Sequence, residues 1–465
     1  MCIKSSHTSR EESGDRGQHS VPAAIASGLA PTSHLPAHGI HGPSASSRNL
    51  TPLSPLPHHR AARHRDVVKE TSGVDARRRR LQAAFTIDPR GLRRRRAVTR
   101  GKVTFCYYAS WASGRPAGGS LSAADVDPAP CSHLVYAFAG VGADGLIQPP
   151  DDHGAGSYRK FTALARKHPN VTTLLAIGGR DHGTAAFSEM ASTEEGRRRF
   201  ADSVVVFLRR HGFQGLDVDW EYPTQRGGVP EDKANYVLLL RELRRRLHAE
   251  QLLLTTAVGA ATSLVGTAYD VRAVAQSVDY ISVMTFDYHT PSTHNVTGIH
   301  SPLSPLPSDV GDRSALNIRA SIAAWVDGGA PRSKLLAGFP LHGRAFTLAS
   351  AAARGLGAPA AGAGIAGPYT ARPGYLGYYE ICRKLKTEAN WTKVYNNSTA
   401  SLYVYKDDQW ISFDDETTFT IKANYVLEED LAGVMIWSID TDDFIGTCSN
   451  RKNPLQKVIK ETIGS

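Results

Sequence analysis

The chain has 465 residues and a formal net charge of +10, enough for one large domain or two to three small ones. The charge is uneven: residues 1–100 hold 18 Lys+Arg against 7 Asp+Glu, and the remainder holds 36 against 37. The basic character therefore belongs to an N-terminal arm and gives no ground for a nucleic-acid ligand of the domain that follows; no run of about 18 apolar residues occurs, so no apolar helical membrane span is expected.

Residues 1–100 are rich in Ser, Pro, His, Gly and Arg and lack apolar periodicity. That composition reads as a disordered basic arm. Arginine runs at Arg77 to Arg80 and Arg93 to Arg96 fit a proprotein cleavage site, a basic anchor, or a plain extension. The opening MCIKSSHTSREESGD has no apolar core, and AAIASGLA at 23–30 is short. No secretory signal is expected from them.

From residue 101 the texture changes. Apolar runs of strand length come at 103–110, 133–140, 171–179, 215–222, 251–259, 280–288, 334–341 and 433–440. Helical stretches such as FADSVVVFLRRHG and ANYVLLLRELRRRLHAE separate them. Near-continuous apolar strands alternating with helices predict a parallel sheet buried on both faces. Eight such units fit an α/β fold of the closed (β/α)₈ TIM-barrel type. An open doubly wound sheet is the alternative, but no GxGxxG follows an early strand. Between the seventh and eighth runs lie a small-residue loop and short aromatic strand-like pieces, read as an α+β insertion over 342–415. The domain is expected to be 101–465.

Four of the five cysteines, Cys106, Cys131, Cys382 and Cys448, lie in the domain; Cys2 is in the arm. No CxxC pair occurs, which argues against a structural zinc site. Sequons at Asn170, Asn295, Asn390, Asn396 and Asn397, with Asn49 in the arm, and the even cysteine set favour an oxidising, secretory setting.

The fourth run, FQGLDVDWEYP at 213–223, raises a chemical question. Val205, Val206, Phe207 and Leu208 precede it in a helical pattern ending at Gly212, and Phe213, Leu216, Val218 and Trp220 make it core-like. Yet Asp217, Asp219 and Glu221 occupy every second position, which gathers three acids on one strand face. Burying them costs several kcal/mol each unless they are paired or share protons. The competing bland reading is an edge strand with a solvated face. Helix, glycine, strand and acids at the strand's far end instead describe a β/α unit carrying a site.

This stretch resembles the DxxDxDxE signature of glycoside hydrolase family 18, the chitinases and chitinase-like lectins. CYYASW at 106–111, HLVYAFAG at 133–140, LLAIGG at 174–179, VMTFDYH at 283–289 and GVMIWSID at 433–440 resemble its other strand motifs in order. The resemblance covers 101–465 and not the arm. It implies a TIM barrel, a cleft-deepening insertion, and disulfides Cys106–Cys131 and Cys382–Cys448. Glu221 would be the acid/base, with Asp217, Asp219 and Asp287 completing the catalytic set. Neighbouring charge raises a glutamate's affinity for its proton, and the two aspartates would titrate as a set. The nucleophile would be the substrate's own acetamido oxygen, so the ligand would be chitin or a chito-oligosaccharide. No metal and no cofactor would be required. Trp437 would form the cleft floor, with Tyr107, Trp111 and Phe138 toward the non-reducing side. Gly178, Gly179, Arg180, Tyr222, Met284, Phe286, His342, Arg344 and Met435 would complete the binding positions, and Glu380 would reach in from the insertion. A secreted monomer is expected.

Four positions depart from the family pattern. Gln214 replaces the first signature acid, on the opposite strand parity. Arg180 stands where a sugar-stacking Trp is usual. Phe286 lacks the hydroxyl of the usual Tyr, and His342 replaces a second Tyr. These departures keep a weak or inactive chitin-binding lectin open beside the hydrolase. Retention of Glu221 favours the hydrolase.

Overall fold

The computed structural model describes residues 101–149 and 154–465. The arm and both arginine runs lie outside the described residues.

Eight strands carry the domain: β1 (Val103–Ala109), β2 (His133–Val141), β3 (Thr172–Gly178), β4 (Gly215–Asp219), β5 (Leu253–Val258), β6 (Tyr280–Val283), β7 (Leu335–Pro340) and β8 (Gly433–Trp437). Each pairs in parallel with the next, and β8 pairs with β1, Val103 opposite Gly433. The ring is thus closed: a (β/α)₈ TIM barrel. All eight apolar runs are strands. The sixth stops at Val283, short of the 288 its composition suggested. Tight turns follow, with Thr285 N–H on Val283 O and Phe286 N–H on Met284 O (both 2.8 Å). Asp287 then takes a left-handed backbone, φ 60°.

Strand alternation divides the apolar residues between two cores. One face of each strand meets the helices: Leu216, Val218 and Trp220 pack with Phe200, Val204, Leu208, Tyr236 and Leu240. The other fills the barrel: Phe105, Tyr107, Val135, Leu174, Ala176, Leu336 and Met435. The helix before β4, Glu194–His211, starts with the Thr193 side chain accepting from Gly196 N–H. It ends at Gly212, φ 77°, where a left-handed residue closes the last turn. Gln214 sits at the base of the barrel, its Oε1 accepting Thr173 N–H at 2.9 Å, away from the acids as its parity predicts.

Between β7 and β8 the chain builds an antiparallel sheet from His342–Leu348, Ala360–Ala363, Tyr375–Gly377, Thr392–Asn396, Ser401–Lys406 and Gln409–Phe413, with helix Tyr378–Thr387. This is the small α+β insertion. Cys106 is bonded to Cys131 and Cys382 to Cys448. No described helix is long and apolar enough to cross a membrane.

Candidate active site

The C-terminal ends of the barrel strands carry the site. Asp217 is fully buried, and both its oxygens are satisfied: Tyr107 Oη donates to Oδ2 at 2.8 Å and Thr255 Oγ1 to Oδ1 at 2.6 Å. Burial pushes its pKa up to about 6, against the pull of those two donors. Asp219, 3 % exposed, has no donor on Oδ1. Burial, and then the charges of Glu221 and Asp217, hold its pKa well above the carboxylate range. Glu221 lies just past the strand end and is partly open to solvent. Burial raises its pKa too, while Arg226 and Arg180 oppose the rise. The row is therefore graded: a fully bonded acid at depth, an acid with an unmet oxygen above it, and an acid of raised pKa at the mouth.

The glycine pair after β3 shapes the wall beside this row. Gly178 and Gly179 have φ 101° and 81°, a region that side chains disfavour. A Cβ on Gly178 would stand 2.2 Å from Asp219 O, and one on Gly179 2.6 Å from the Phe138 ring. Gly179 N–H donates to Asp219 O at 2.8 Å, which locks the β4 end.

The aromatic residues form one connected group. Phe138 stacks on Trp437 (5.5 Å, 22°) and on Trp111 (6.1 Å, 25°), and Tyr107 meets Trp437 edge-on at 5.8 Å. Trp111 is 46 % exposed. Tyr107 departs from the expected platform role: it is wholly buried, beneath the floor, and holds Asp217. Met435 is likewise buried inside the barrel, whereas Met284 and Phe286 are partly buried against that core. Tyr222 is half-buried and lies under the Arg226 guanidinium, 5.2 Å from its ring. Arg180 is exposed.

Asp287 is gripped from the insertion side. Arg344 Nε donates to Oδ1 at 2.7 Å and Nη2 to Oδ2; His342 Nε2 lies 3.1 Å from Oδ1. Burial alone would raise the Asp287 pKa, but Arg344 and His342 outweigh it and hold it well below the ordinary value. Glu380 departs from expectation. Its Oε1 accepts the N–H groups of Tyr369 (2.8 Å) and Thr370 (2.9 Å), and Oε2 those of Gly377 (2.8 Å) and the Thr370 hydroxyl (2.7 Å). A carboxylate with four donors caps its own helix and shapes a loop instead of reaching for a ligand.

Sequence reasoning missed Arg226 and His300. Arg226 Nη1 stands 3.4 Å from Glu221 Oε2; it lies in an irregular TQRGG loop with φ 53°, where no periodicity marks it. Because its charge lowers the Glu221 pKa, Arg226→Gln is expected to raise that pKa. The Glu221 carboxyl, followed by carboxyl NMR titration, should then titrate at higher pH. A titration that stays or moves down would show that the pair does not set the proton affinity.

The family Glycosyl hydrolases family 18 matches residues 103–442. Chitotriosidase-1 of Mus musculus is 37 % identical over 367 residues, 77 % of each chain. The Ostrinia furnacalis Group IV chitinase, solved in complex with allosamidin, superposes with a TM-score of 0.76 at 39 % identity, covering 78 % of this chain and 99 % of that one. Human YKL-39, a pseudo-chitinase with retained chitooligosaccharide binding, superposes with a TM-score of 0.74 at 34 % identity, over 78 % of this chain and all of that one.

Proposed function

The chain belongs to glycosyl hydrolase family 18, and from that premise we propose that it cleaves β-1,4 N-acetylglucosamine linkages in chitin or chito-oligosaccharides with retention. The carrying observation is the graded acid row, with Glu221 raised in pKa at its mouth and Asp219 Oδ1 lacking a donor. Glu221 donates its proton to the glycosidic oxygen as the C1–O bond breaks. The substrate's acetamido oxygen attacks C1 and forms an oxazolinium ion, so no enzyme nucleophile is needed. Asp219 receives the acetamido N–H on its unmet oxygen and steadies the charge that develops there. Asp217, fixed by Tyr107 and Thr255, keeps a second negative charge or a shared proton beneath it. Water then adds to C1 and returns a proton to Glu221. Two inversions give retention. Trp437, Phe138 and Trp111 offer apolar faces to sugar rings.

Turnover of a fluorogenic chitotrioside across acidic to neutral pH tests the reading. Binding without turnover at any of these pH values would overturn it in favour of a lectin. Phe286 is the observation on the lectin side, because its ring tip offers no hydrogen bond to an acetamido oxygen. One such transition-state contact is worth about 1–4 kcal/mol, roughly ten- to a thousand-fold in rate. Phe286→Tyr is therefore expected to raise kcat by about tenfold or more; unchanged or lower kcat would remove this account of the departure.

We also place the natural protein in an oxidising, secretory setting. Two disulfides and exposed sequon asparagines at 170, 295, 390 and 397 support this. Glycan analysis of the natural protein checks it, and an unglycosylated, reduced protein would exclude it.

A further inference from the structure

Three segments that are distant in sequence bring Asp287, His300 and His342 together. Asp287 follows the β6 turns. His342 opens the first strand of the insertion, His342–Leu348. His300 is held in its loop by its own backbone: its carbonyl accepts Tyr288 N–H at 3.0 Å, and its N–H lies 3.3 Å from Ser412 Oγ. Both imidazoles are 1 % exposed.

We propose that Asp287, His300 and His342 form a binding site for one divalent transition-metal cation of the zinc class, and that its occupancy blocks the cleft. His342 Nε2 and His300 Nδ1 stand 3.1 and 3.5 Å from the same oxygen, Asp287 Oδ1. A cation held tetrahedrally by bonds of about 2.0–2.1 Å requires ligand atoms about 3.3 Å apart, between those two spacings. One ligand atom of each residue lies within 4.8 Å of the other two.

Hydrogen bonding accounts for only part of the cluster. His342 faces two acceptors, Asp287 Oδ1 at 3.1 Å and the Trp437 backbone, and a neutral ring can donate to only one of them; His300 Nδ1 reaches Asp287 Oδ1 only at 3.5 Å, and His300 Nε2 has no hydrogen-bond partner. A buried polar atom left so costs about 1–3 kcal/mol. Neutral imidazole is the ligating form. Two imidazoles and one carboxylate suit zinc, cobalt or copper and not calcium or magnesium, which take oxygen ligands. The set leaves a coordination position open for water.

Arg344 bonds both Asp287 oxygens, and its charge opposes a second cation. The site should therefore be weaker than a structural zinc site, and reversible. Asp287 follows β6 at the same end of the barrel as the acid row, so a bound cation would lie at the cleft and compete with substrate.

The test uses the full chain after chelator treatment. Eight of the 18 histidines lie in residues 1–100, so the readout is the difference between variants. Zinc calorimetry on wild type should show one equivalent that weakens about tenfold or more in His300→Asn and, independently, in His342→Phe. Zinc should raise the melting temperature of wild type and lose that effect in each variant that folds. Cobalt(II) bound to wild type should give the intense visible bands of a four- or five-coordinate nitrogen-ligated site. Unchanged stoichiometry and affinity in either folded variant, or only the weak spectrum of octahedral cobalt in wild type, would overturn the site. The blocking effect rests on the hydrolase reading. Competitive zinc inhibition of chitotrioside turnover, reversed by chelator, supports it, and zinc binding without inhibition overturns that part alone. If wild type shows no turnover, the hydrolase reading fails while the calorimetry and cobalt spectrum still decide the site.

Discussion

Glu221→Gln is expected to lower chitotrioside turnover by about 10²–10⁴-fold or more, the range a positioned general acid contributes, while oligosaccharide binding persists. The substitution keeps the shape and removes both the proton to be donated and the base that recovers it. On the proposed reading binding draws on other groups, the Trp437, Phe138 and Trp111 faces and the polar groups around Asp287, which the substitution leaves untouched. The variant also relieves the acid row, because Glu221 is the leading charge that raises Asp219 beyond burial itself. The Asp219 pKa should therefore fall in the variant. Equal loss of kcat and of binding affinity would mean that Glu221 is a binding residue and not the acid. Residual activity within about tenfold of wild type would assign the proton transfer to another group.

Arg344→Met is expected to cost about 2–3 kcal/mol of stability at neutral pH. Removing one partner of a fully buried pair costs about 3–5 kcal/mol, and the Asp287 side chain retains 24 % exposure, which discounts the figure. Asp287 then keeps only His342 and His300 nearby. The pH dependence follows from its depressed pKa in the folded protein. In wild type the carboxylate contributes stability above the unfolded Asp pKa of about 3.9, and that contribution is lost as pH falls through the lower folded value. The variant lacks it. Its deficit in urea denaturation should thus be largest near neutral pH and narrow in acid. A deficit that does not vary with pH would attribute the loss to the guanidinium's contact with the Tyr375 ring, 5.0 Å from its centroid, instead of to its pairing with Asp287.

The barrel was legible because parallel strands buried on both faces read as unbroken apolar runs, and the acids of β4 stood out against that background. Periodicity could not place the end of β6. Its apolar run continues past Val283, but the chain leaves the sheet there through two tight turns, Thr285 N–H to Val283 O and Phe286 N–H to Met284 O, that no local signal announces. Glu380 was misread because its helix starts at Gly377, which lacks the Ser, Thr, Asp or Asn that normally marks a capping box. Arg226 and His300 gain their meaning only from tertiary proximity, one beside Glu221 and the other beside Asp287, and irregular loops carry no pattern from which to infer it. Tyr107 was assigned to the right site at the wrong depth, since strand parity says which way a ring points and not what lies above it.

The glycine pair after β3 also sets where this cleft can diversify. Positions 178 and 179 admit no side chain, because the Asp219 backbone and the Phe138 ring already occupy that space. The next residue, Arg180, points into solvent. Two immovable positions thus adjoin one exposed position, and exchanging its side chain leaves the spacing of the acids undisturbed. An exchange there keeps the acids in place but removes a charge that holds the Glu221 pKa down, so position 180 can retune the proton affinity of the row without moving it.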